Sequence, residues 1–388
     1  MKMKGFFLPM KQRIILFIVA FYTCVQAIGC NEKLQKQLTQ TKLALQSSSN
    51  QLGDTVNTAP SDTITIAAVG DIMLGSNYPT NAALPPDSGK SSFEAAMQHL
   101  RNADITFGNL EGVLLDTGAA AAYKLNFRKK GHLFRMPTYY GGILKTAGFD
   151  VLSMGNNHVD DFSKAGRKNT VKLLDSLGIQ HAGLLSEPLS SFTVKGVKYG
   201  FCAFSPNSQT VSLLNHRYAK KIIRQLKQDN DIVIVSFHGG GEGTDFEHVT
   251  QKTETYKGEN RGNVYQFAHT AIDAGADVVF GNGPHVVRAM ELYNKRLIAY
   301  SLGNFCTYKG VSISGICGLA PLLKVKLNKK GHFLNGRIIS YKQTYGHGLQ
   351  PDPANKAAAK IRSLTETDFL QSGLTVSDNG RVIPALIN

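Results

Sequence analysis

The sequence predicts an α/β fold whose functional site lies at the ends of its strands. The clearest observation is the apolar run Val151–Met154, which stops at Gly155 and is typical of a buried strand. Two amides, an imidazole and two carboxylates follow, and then a stretch of helical pattern, Gly166–Leu177. In open α/β sheets the strand ends meet in a crevice whose loops carry function. One such segment alone is also compatible with a polar turn, but its recurrence along the chain favours a site.

The recurrence is visible when the elements are taken in order. Strands are predicted at Ile64–Val69, Ile105–Phe107, Val151–Met154, Ile232–Phe237, Val278–Phe280, Leu297–Tyr300, Leu322–Leu327 and Gly336–Tyr341. Five or six of these runs end in glycine accompanied by Asp, Asn, Glu or His. A hairpin is predicted at Val194–Phe204, with its turn near Lys195-Gly196. Helices are predicted at Phe93–Leu100, Gly166–Leu177, Tyr218–Lys227, Asn263–Ala274 and Ala354–Leu364.

Composition indicates a globular, basic protein. The 388 residues are 42% hydrophobic and 18% charged, with a formal net charge of +15. This excess favours anionic partners such as phosphorylated sugars, polyglutamate or lipid headgroups. The sequence shows no nucleic-acid recognition motif and no basic helix, so nucleic acid is not expected as a partner.

The N-terminus has the pattern of an export signal. A basic start precedes the apolar run Ile14–Tyr22, which is too short to span a membrane as a mature helix. Ala27-Ile28-Gly29-Cys30 then resembles a bacterial lipoprotein cleavage box, in which Cys30 becomes the lipidated first residue. The alternative is an ordinary signal peptide with an incidental cysteine. The protein is expected in the cell envelope, and Asn31 after the cysteine weakly favours transport to an outer membrane where one exists.

The chain divides into four predicted segments. Residues 1–29 form the signal peptide, and the polar stretch 30–62 forms a tether between membrane and folded body. The catalytic body is assigned to 63–345, and 346–388 to a C-terminal extension. Cys202, Cys306 and Cys317 lie within the body, where Cys306 and Cys317 could pair in an oxidising compartment. No paired CxxC spacing indicates structural zinc.

The residues at the strand ends are metal-binding types. Glycines let the backbone turn sharply towards a bound ion. Oxygen and imidazole ligands together suit Mn, Fe, Zn or Mg, and two such ions can activate water and hold a phosphoryl oxygen. The basic loop Gly118–Pro137 is interpreted mainly as a solvated surface. Within it, Arg135 stands between an aromatic residue and Met136-Pro137 and is the cation most expected to face a substrate.

The ordered motifs VGDIMLG, GNLEG, GNNH, FHGGGE, GNGPHV and YSLGNF, between Ile64 and Phe305, resemble the CapA family of poly-γ-glutamate capsule-synthesis proteins. That family looks like a branch of the calcineurin-like metallophosphoesterases. The resemblance implies a four-layer α/β sandwich of two mixed β-sheets flanked by helices, with one or two divalent metal ions.

The resemblance also implies roles for single residues. His158 matches a histidine that acts as an acid or stabilises the transferred group, with Asn157 and Arg135 as further catalytic candidates. Glu242, Asn282 and Asn304 are expected to line the pocket. The metal ligands implied are Asp71, Glu111, Asn157, His238 and His285, with Asn109 close by.

The motifs depart from the metallophosphatase pattern at two places. Met73 stands where that pattern has a histidine two places after its first aspartate. Asn282 and Gly283 stand where a second histidine is expected before His285. Because of these departures, the sequence is compatible with a site for two metal ions, a site for one ion, or a metal-free pocket.

Two functions of different classes are compatible with these residues. The first is a metal-dependent hydrolase or transferase that acts on an anionic envelope polymer or a phosphoester. The second is a non-catalytic binding or assembly protein for capsule export, with a degraded metal site and partners in the capsule-synthesis machinery.

Overall fold

The protein is described by a computed structural model that covers residues 63–125 and 132–385. The predicted signal peptide, lipoprotein box and tether lie outside the described residues. Among the helices of the described residues, none combines the length and apolar character needed to cross a bilayer.

Strands dominate the described chain and build two large sheets and two short ribbons. In chain order they are β1 Thr63–Ile72, β2 Ile105–Leu110, β3 Val113–Leu114, β4 Arg135–Met136, β5 Val151–Ser153, β6 Gln180–Ala182, β7 Leu189–Val194, β8 Val197–Phe204, β9 Ile232–His238, β10 Glu254–Tyr256, β11 Glu259–Gly262, β12 Val278–Asn282, β13 Met290–Tyr293, β14 Arg296–Ala299, β15 Leu319–Asn328, β16 Phe333–Thr344, β17 Gly348–Pro351, β18 Leu374–Val376 and β19 Arg381–Pro384.

Both large sheets are mixed. The first has the order β18-β19-β16-β15-β1-β2-β5-β6, with β17 paired to β16. Its half from β1 to β6 is parallel, whereas β15 runs antiparallel to β1. The second has the order β13-β14-β12-β9-β8-β7, with a parallel centre and antiparallel edges. β3 pairs with β4, and β10 with β11.

Helices cover the outer face of each sheet. The α-helices of the described residues are α1 Met97–Arg101, α2 Ala122–Leu125, α3 Tyr140–Ala147, α4 Ser163–Ser176, α5 His216–Asp229, α6 Val264–Ala274 and α7 Lys356–Asp368. Apolar residues of α1, α3 and α4 form one core with the outer face of the first sheet. In α6, Phe267 packs its ring on Phe204 and Phe237 of the second sheet.

The two sheets pack face to face because β1 and β2 have apolar residues on both faces. Ile64, Ile66 and Ala68 of β1 join the core between the sheets, and the alternate residues join the helical core outside. Across the interface, the Phe107 ring stacks on Phe280 with ring centroids 5.1 Å apart. The predicted four-layer sandwich of two mixed sheets flanked by helices is therefore confirmed.

The C-terminal residues belong to the same architecture. After residue 345, β17, β18 and β19 add to the first sheet, and α7 packs against β15 and β16. The predicted helix Ala354–Leu364 corresponds to α7. In the described part of the chain, the residues from 346 to 385 therefore pack on the same sheet as the residues before them.

One alternative left open by the sequence and one expectation are resolved by the structure. The Cys306–Cys317 pairing, which the sequence left open, is not formed: both cysteines are free and buried, and the Cys306 thiol donates to the Ser92 carbonyl at 2.9 Å. The expectation of no basic helix fails at α5. That helix carries five Lys or Arg residues in the eleven positions from Arg217 to Lys227, and no acid among them.

Candidate metal centre

The centre forms where strand ends of both sheets meet. In the first sheet, Asp71 near the end of β1 lies beside Asn109 of β2. In the second, His238 at the end of β9 lies beside Asn282 at the end of β12. The two edges join where the Asp71 N–H donates to the Gly303 carbonyl at 2.8 Å. This approach requires glycine at position 70, because a Cβ there would overlap the Gly303 carbonyl oxygen.

Asp71, Glu111 and His285 converge at this junction. One potential ligand atom from each lies within 4.8 Å of the other two, and all three residues are buried. His285 places Nδ1 3.1 Å from Asp71 Oδ2 and Nε2 3.5 Å from Glu111 Oε1. His285 has a positive φ of 58°, and its Nδ1 also lies 3.0 Å from Asn304 Oδ1.

Glu111 is the residue that tests whether a metal fits. Both of its carboxylate oxygens are buried, and neither has a hydrogen-bond partner in the described structure. His285 and His158 lie 3.5 and 3.7 Å from its Oε1 but form no hydrogen bond with it. A buried carboxylate without hydrogen bonds is costly, and native proteins rarely keep one without a bound ion or water. Two carboxylates and an imidazole form a donor set that suits Mn, Fe or Zn. The residues present therefore fit a divalent metal ion.

Burial and neighbouring charges shift the pKa values of two of the three residues, Glu111 and His285. Burial raises the pKa of Glu111 well above its ordinary value. Burial lowers the pKa of His285, but the Glu111 and Asp71 carboxylates outweigh it and raise that pKa to about 10. A metal ion at this site therefore competes with protons for these donors.

His238 stands beside the group, on the other side of Asp71. Burial, and then the charge of Arg261, lowers its pKa well below the ordinary value. Its Nδ1 lies 3.9 Å from Asp71 Oδ1, and its Nε2 is buried without a hydrogen-bond partner in the described structure. A neutral imidazole with an unused nitrogen is suited to ligate a metal.

Asn109 links these residues through hydrogen bonds. Its Nδ2 donates to Asp71 Oδ1 at 2.7 Å and lies 3.3 Å from His238 Nδ1. Its Oδ1 accepts from Asn156 Nδ2 at 3.2 Å. The amide thus fixes the orientation of Asp71, which places Asn109 behind the ligands.

Asn109→Ala is expected to weaken divalent-metal binding roughly 10- to 100-fold, which is typical when a partner that orients a ligand is lost. Metal titration of the purified full-length protein measures this effect. Asn77→Ala is the matched control, because Asn77 accepts from Arg135 in an outer loop. If Asn109→Ala binds metal as tightly as the control, the hydrogen bond to Asp71 does not organise the centre.

His158 approaches the centre from the loop after β5. Its Nε2 lies 3.7 Å from Glu111 Oε1, and its Nδ1 lies 2.7 Å from Asp161 Oδ2. The His158 ring packs on Phe134, with ring centroids 4.1 Å apart. Because the Asp161 carboxylate accepts a hydrogen bond from His158 Nδ1–H, the imidazole presents Nε2 to the site.

Asp161 is itself firmly held. Its Oδ2 also accepts the Phe134 N–H at 2.8 Å, and its Oδ1 lies 3.1 Å from Lys124 Nζ. Lys124 also donates to the Asn157 carbonyl at 2.7 Å.

The structure does not bring every candidate into this cluster. Arg135 donates to the Asn77 side chain and to the backbone of Asn77 and Gly118, and lies over the rings of Tyr78 and Phe162. The guanidinium of Arg135 thus holds the outer loops together. The substrate contact predicted for Arg135 from the sequence stays a prediction.

The remaining candidates line the surroundings. Glu242 forms an ion pair with Arg261 at 3.1 Å, and Asn282 donates to Ser236 at 3.2 Å. Asn304 Nδ2 donates to the His285 carbonyl. Asn157 Oδ1 is buried without a hydrogen-bond partner among the described residues.

Sequence reasoning placed Asn156 and Asp161 in the segment after β5 but gave neither residue a role in the site. Asn156 is the first of two adjacent amides, and it reaches Asn109 and the Leu110 carbonyl. Asp161 follows His158 by three residues, a spacing that brings side chains together in a helical turn and therefore offered a signal.

Comparison with known proteins assigns the family. Residues 65–309 match the model of the family described as bacterial capsule synthesis protein PGA_cap. The chain is 27% identical to the PGA biosynthesis protein CapA of Bacillus subtilis over 333 residues, 80% of each chain. It is 28% identical to the capsule biosynthesis protein CapA of Bacillus anthracis, covering 64% of this chain and 60% of that protein.

Two solved structures are also similar. A hypothetical protein from Thermus thermophilus has a TM-score of 0.43 and 16% identity, covering 72% of this chain and 99% of that one. A putative 5'-nucleotidase from Staphylococcus aureus has a TM-score of 0.42 and 12% identity, covering 78% and 58%. With the family match spanning more than half of its length, the chain belongs to the bacterial capsule synthesis protein family PGA_cap.

Proposed function

We propose that this protein is an exported, lipid-anchored accessory protein of capsule or poly-γ-glutamate synthesis, and a metal-dependent hydrolase or transferase. Its substrate would be an anionic envelope polymer or a phosphoester. The observation that carries the proposal is the position of Glu111 next to Asp71 and His285. Both carboxylate oxygens of Glu111 are buried there, and neither forms a hydrogen bond in the described structure. The family, and relatives named for capsule and PGA biosynthesis, support the biological setting.

Asp71, Glu111 and His285 would hold the metal, with His238 available beside them. A divalent ion bound there would supply Lewis acidity towards a phosphoryl or carbonyl oxygen. Asn109 keeps the Asp71 carboxylate in place, and the Gly283 N–H, 3.3 Å from Asp71 Oδ2, assists. These contacts form the site before substrate arrives, which reduces the reorganisation that the reaction requires.

His158 would donate the proton that the leaving group requires. When its imidazole is protonated, Nε2 can donate to the leaving oxygen or nitrogen, while Nδ1–H remains bound to Asp161. The Asp161 carboxylate stabilises the imidazolium and holds its orientation. The Phe134 ring packs against the imidazole and restricts its rotation.

The proposal is tested with purified full-length protein that has been loaded with Mn²⁺ or Zn²⁺ and dialysed. We expect the protein to retain metal and to hydrolyse bis-p-nitrophenyl phosphate or poly-γ-glutamate. Retained metal without turnover of either compound would overturn the catalytic part. Failure to retain any metal would overturn the whole site assignment.

The alternative is a non-catalytic assembly protein, and Met73 is the observation that favours it. Met73 stands where the metallophosphatase pattern has a histidine; here its sulfur accepts the Gly75 N–H at 3.3 Å. A protein of this kind would bind capsule polymer without cleaving it. Tight polymer binding by metal-loaded protein that turns over no substrate would favour this function.

Cys30→Ser is expected to abolish lipid anchoring, because a serine hydroxyl cannot replace the thiol that accepts the lipid in a lipoprotein box. The variant should remain uncleaved or leave the membrane fraction, measured by fractionation and by the mass of the mature N-terminus. Cys202→Ser, in the folded body, is the matched control. An unchanged fractionation and N-terminal mass for Cys30→Ser would remove the lipid anchor from the proposal.

A further inference from the structure

Helix α5 presents a cationic face to solvent. Its apolar residues point into the core, and four exposed cations lie on the opposite side. The cations occupy relative positions 0, 3, 4 and 7, which share one helical face. They are Arg217, Lys220, Lys221 and Arg224.

These charges are not neutralised within the described protein. None of the four takes part in an ion pair or a side-chain hydrogen bond in the described structure. Lys227, one turn further, differs: it pairs with Asp277 at 2.8 Å. Like charges at positions i and i+4, as in Arg217–Lys221 and Lys220–Arg224, destabilise a helix. An external polyanion would offset this repulsion.

The topology places the N-terminal end of this cationic face at the sheet edge that carries the metal centre. Helix α5 connects β8 to the parallel neighbouring strand β9. Its N-terminus therefore follows the end of β8, at the edge where β9 delivers His238. The cationic face begins at this edge and runs down the outer layer for about 10 Å from Arg217 to Arg224.

We propose that this face of α5 is a docking surface for the carboxylate polymer on which the protein acts. A membrane fits less well, because an interfacial helix buries an apolar face in lipid and the apolar face of α5 is already in the protein core. The identity of the polymer rests on the proposed function.

The test compares two matched triple variants of the full-length protein. K220Q/K221Q/R224Q removes three charges from α5, and K164Q/K168Q/K172Q removes three exposed charges from α4. Binding of fluorescein-labelled poly-γ-glutamate is measured by anisotropy at low ionic strength. The α5 variant should bind about tenfold more weakly than wild type and the α4 variant about as tightly, and added salt should reduce the difference.

Three further measurements keep the proposal falsifiable. The melting temperature of the α5 variant should be unchanged or slightly higher, because the repulsion is removed. Equal weakening by both variants would overturn the proposal in favour of non-specific attraction. An α5 effect on phosphatidylglycerol vesicles or single-stranded RNA as large as that on poly-γ-glutamate would overturn the choice of polymer. Metal content, measured on the same samples, should not change, which separates failure of the docking surface from failure of the metal centre.

Discussion

Glu111→Gln is expected to weaken divalent-metal binding more than about 100-fold, since even partners behind the ligands typically contribute roughly 10- to 100-fold. The amide keeps the shape of Glu111 but removes the charge beside Asp71 and His285. Bound metal stabilises only the folded state, so wild type should melt at a higher temperature when metal is added. The variant should not respond. Calorimetric titration and melting curves with and without metal measure both effects.

The metal-free variant provides an internal check. In metal-free protein the Glu111 carboxylate is desolvated but lies 3.5 Å from the His285 imidazole, so its neutralisation removes both a burial cost and an attraction, and the melting temperature should change little. Glu291→Gln is the matched control, because that buried acid is paired with His269 and not with the residues of the centre. Glu111→Gln that binds metal as tightly as Glu291→Gln would remove Glu111 from the centre.

His158→Ala is expected to retain the fold and most of the metal but to lose roughly 100- to 10,000-fold in turnover, the usual contribution of a positioned acid or base. The reason is geometric: Nε2 faces Glu111, while Asp161 holds Nδ1. Turnover of bis-p-nitrophenyl phosphate or poly-γ-glutamate, with metal content and melting temperature of the same sample, measures the effect. Asp161 is a less clean target because it also binds Phe134 and Lys124.

The competing view treats His158 as a structural residue that fills the space beside Phe134. It predicts a large drop in melting temperature with unchanged activity per folded molecule. His181→Ala is the matched control, since His181 pairs with Asp175 and not with the centre. It should leave turnover unchanged.

Turn chemistry shows where the sequence could and could not predict the fold. Lys195-Gly196 and Lys257-Gly258 both adopt positive φ values, 50° and 79° in the first pair and 49° and 81° in the second. The first turn is predicted because apolar residues flank it in β7 and β8. The second joins β10 and β11, whose residues are mostly polar and give no strand pattern. Such a ribbon depends on tertiary contacts, here the buried pair of Glu254 with Arg288 at 2.8 Å.

In the site, the sequence indicates which strand ends contribute but not which side chains point inwards. Asp71 and Glu111 come together because β1 and β2 are parallel and end at a common edge, and His285 joins them from the loop after β12, where the second sheet meets the first. Of the adjacent amides Asn156 and Asn157, it is Asn156 that donates to Asn109. Which of the two side chains points towards Asn109 depends on the backbone conformation after Gly155. The contacts of Arg135 depend on Tyr78 and Phe162, which are distant in sequence.

The pairing of β1 with β15 also determines when the centre can form during synthesis. Thr63 pairs with Asn328 and Ala68 with Leu323, so the strand that carries Asp71 is made early and its antiparallel neighbour some 250 residues later. On the ribosome, β1 remains an open edge until β15 has emerged, and contacts this distant in sequence form slowly. Residues 65–309, the family match, end before β15 begins at Leu319. A chain cut at 309 would leave β1 unpaired on that side, so the strand that carries Asp71 gains its second neighbour only in the longer chain.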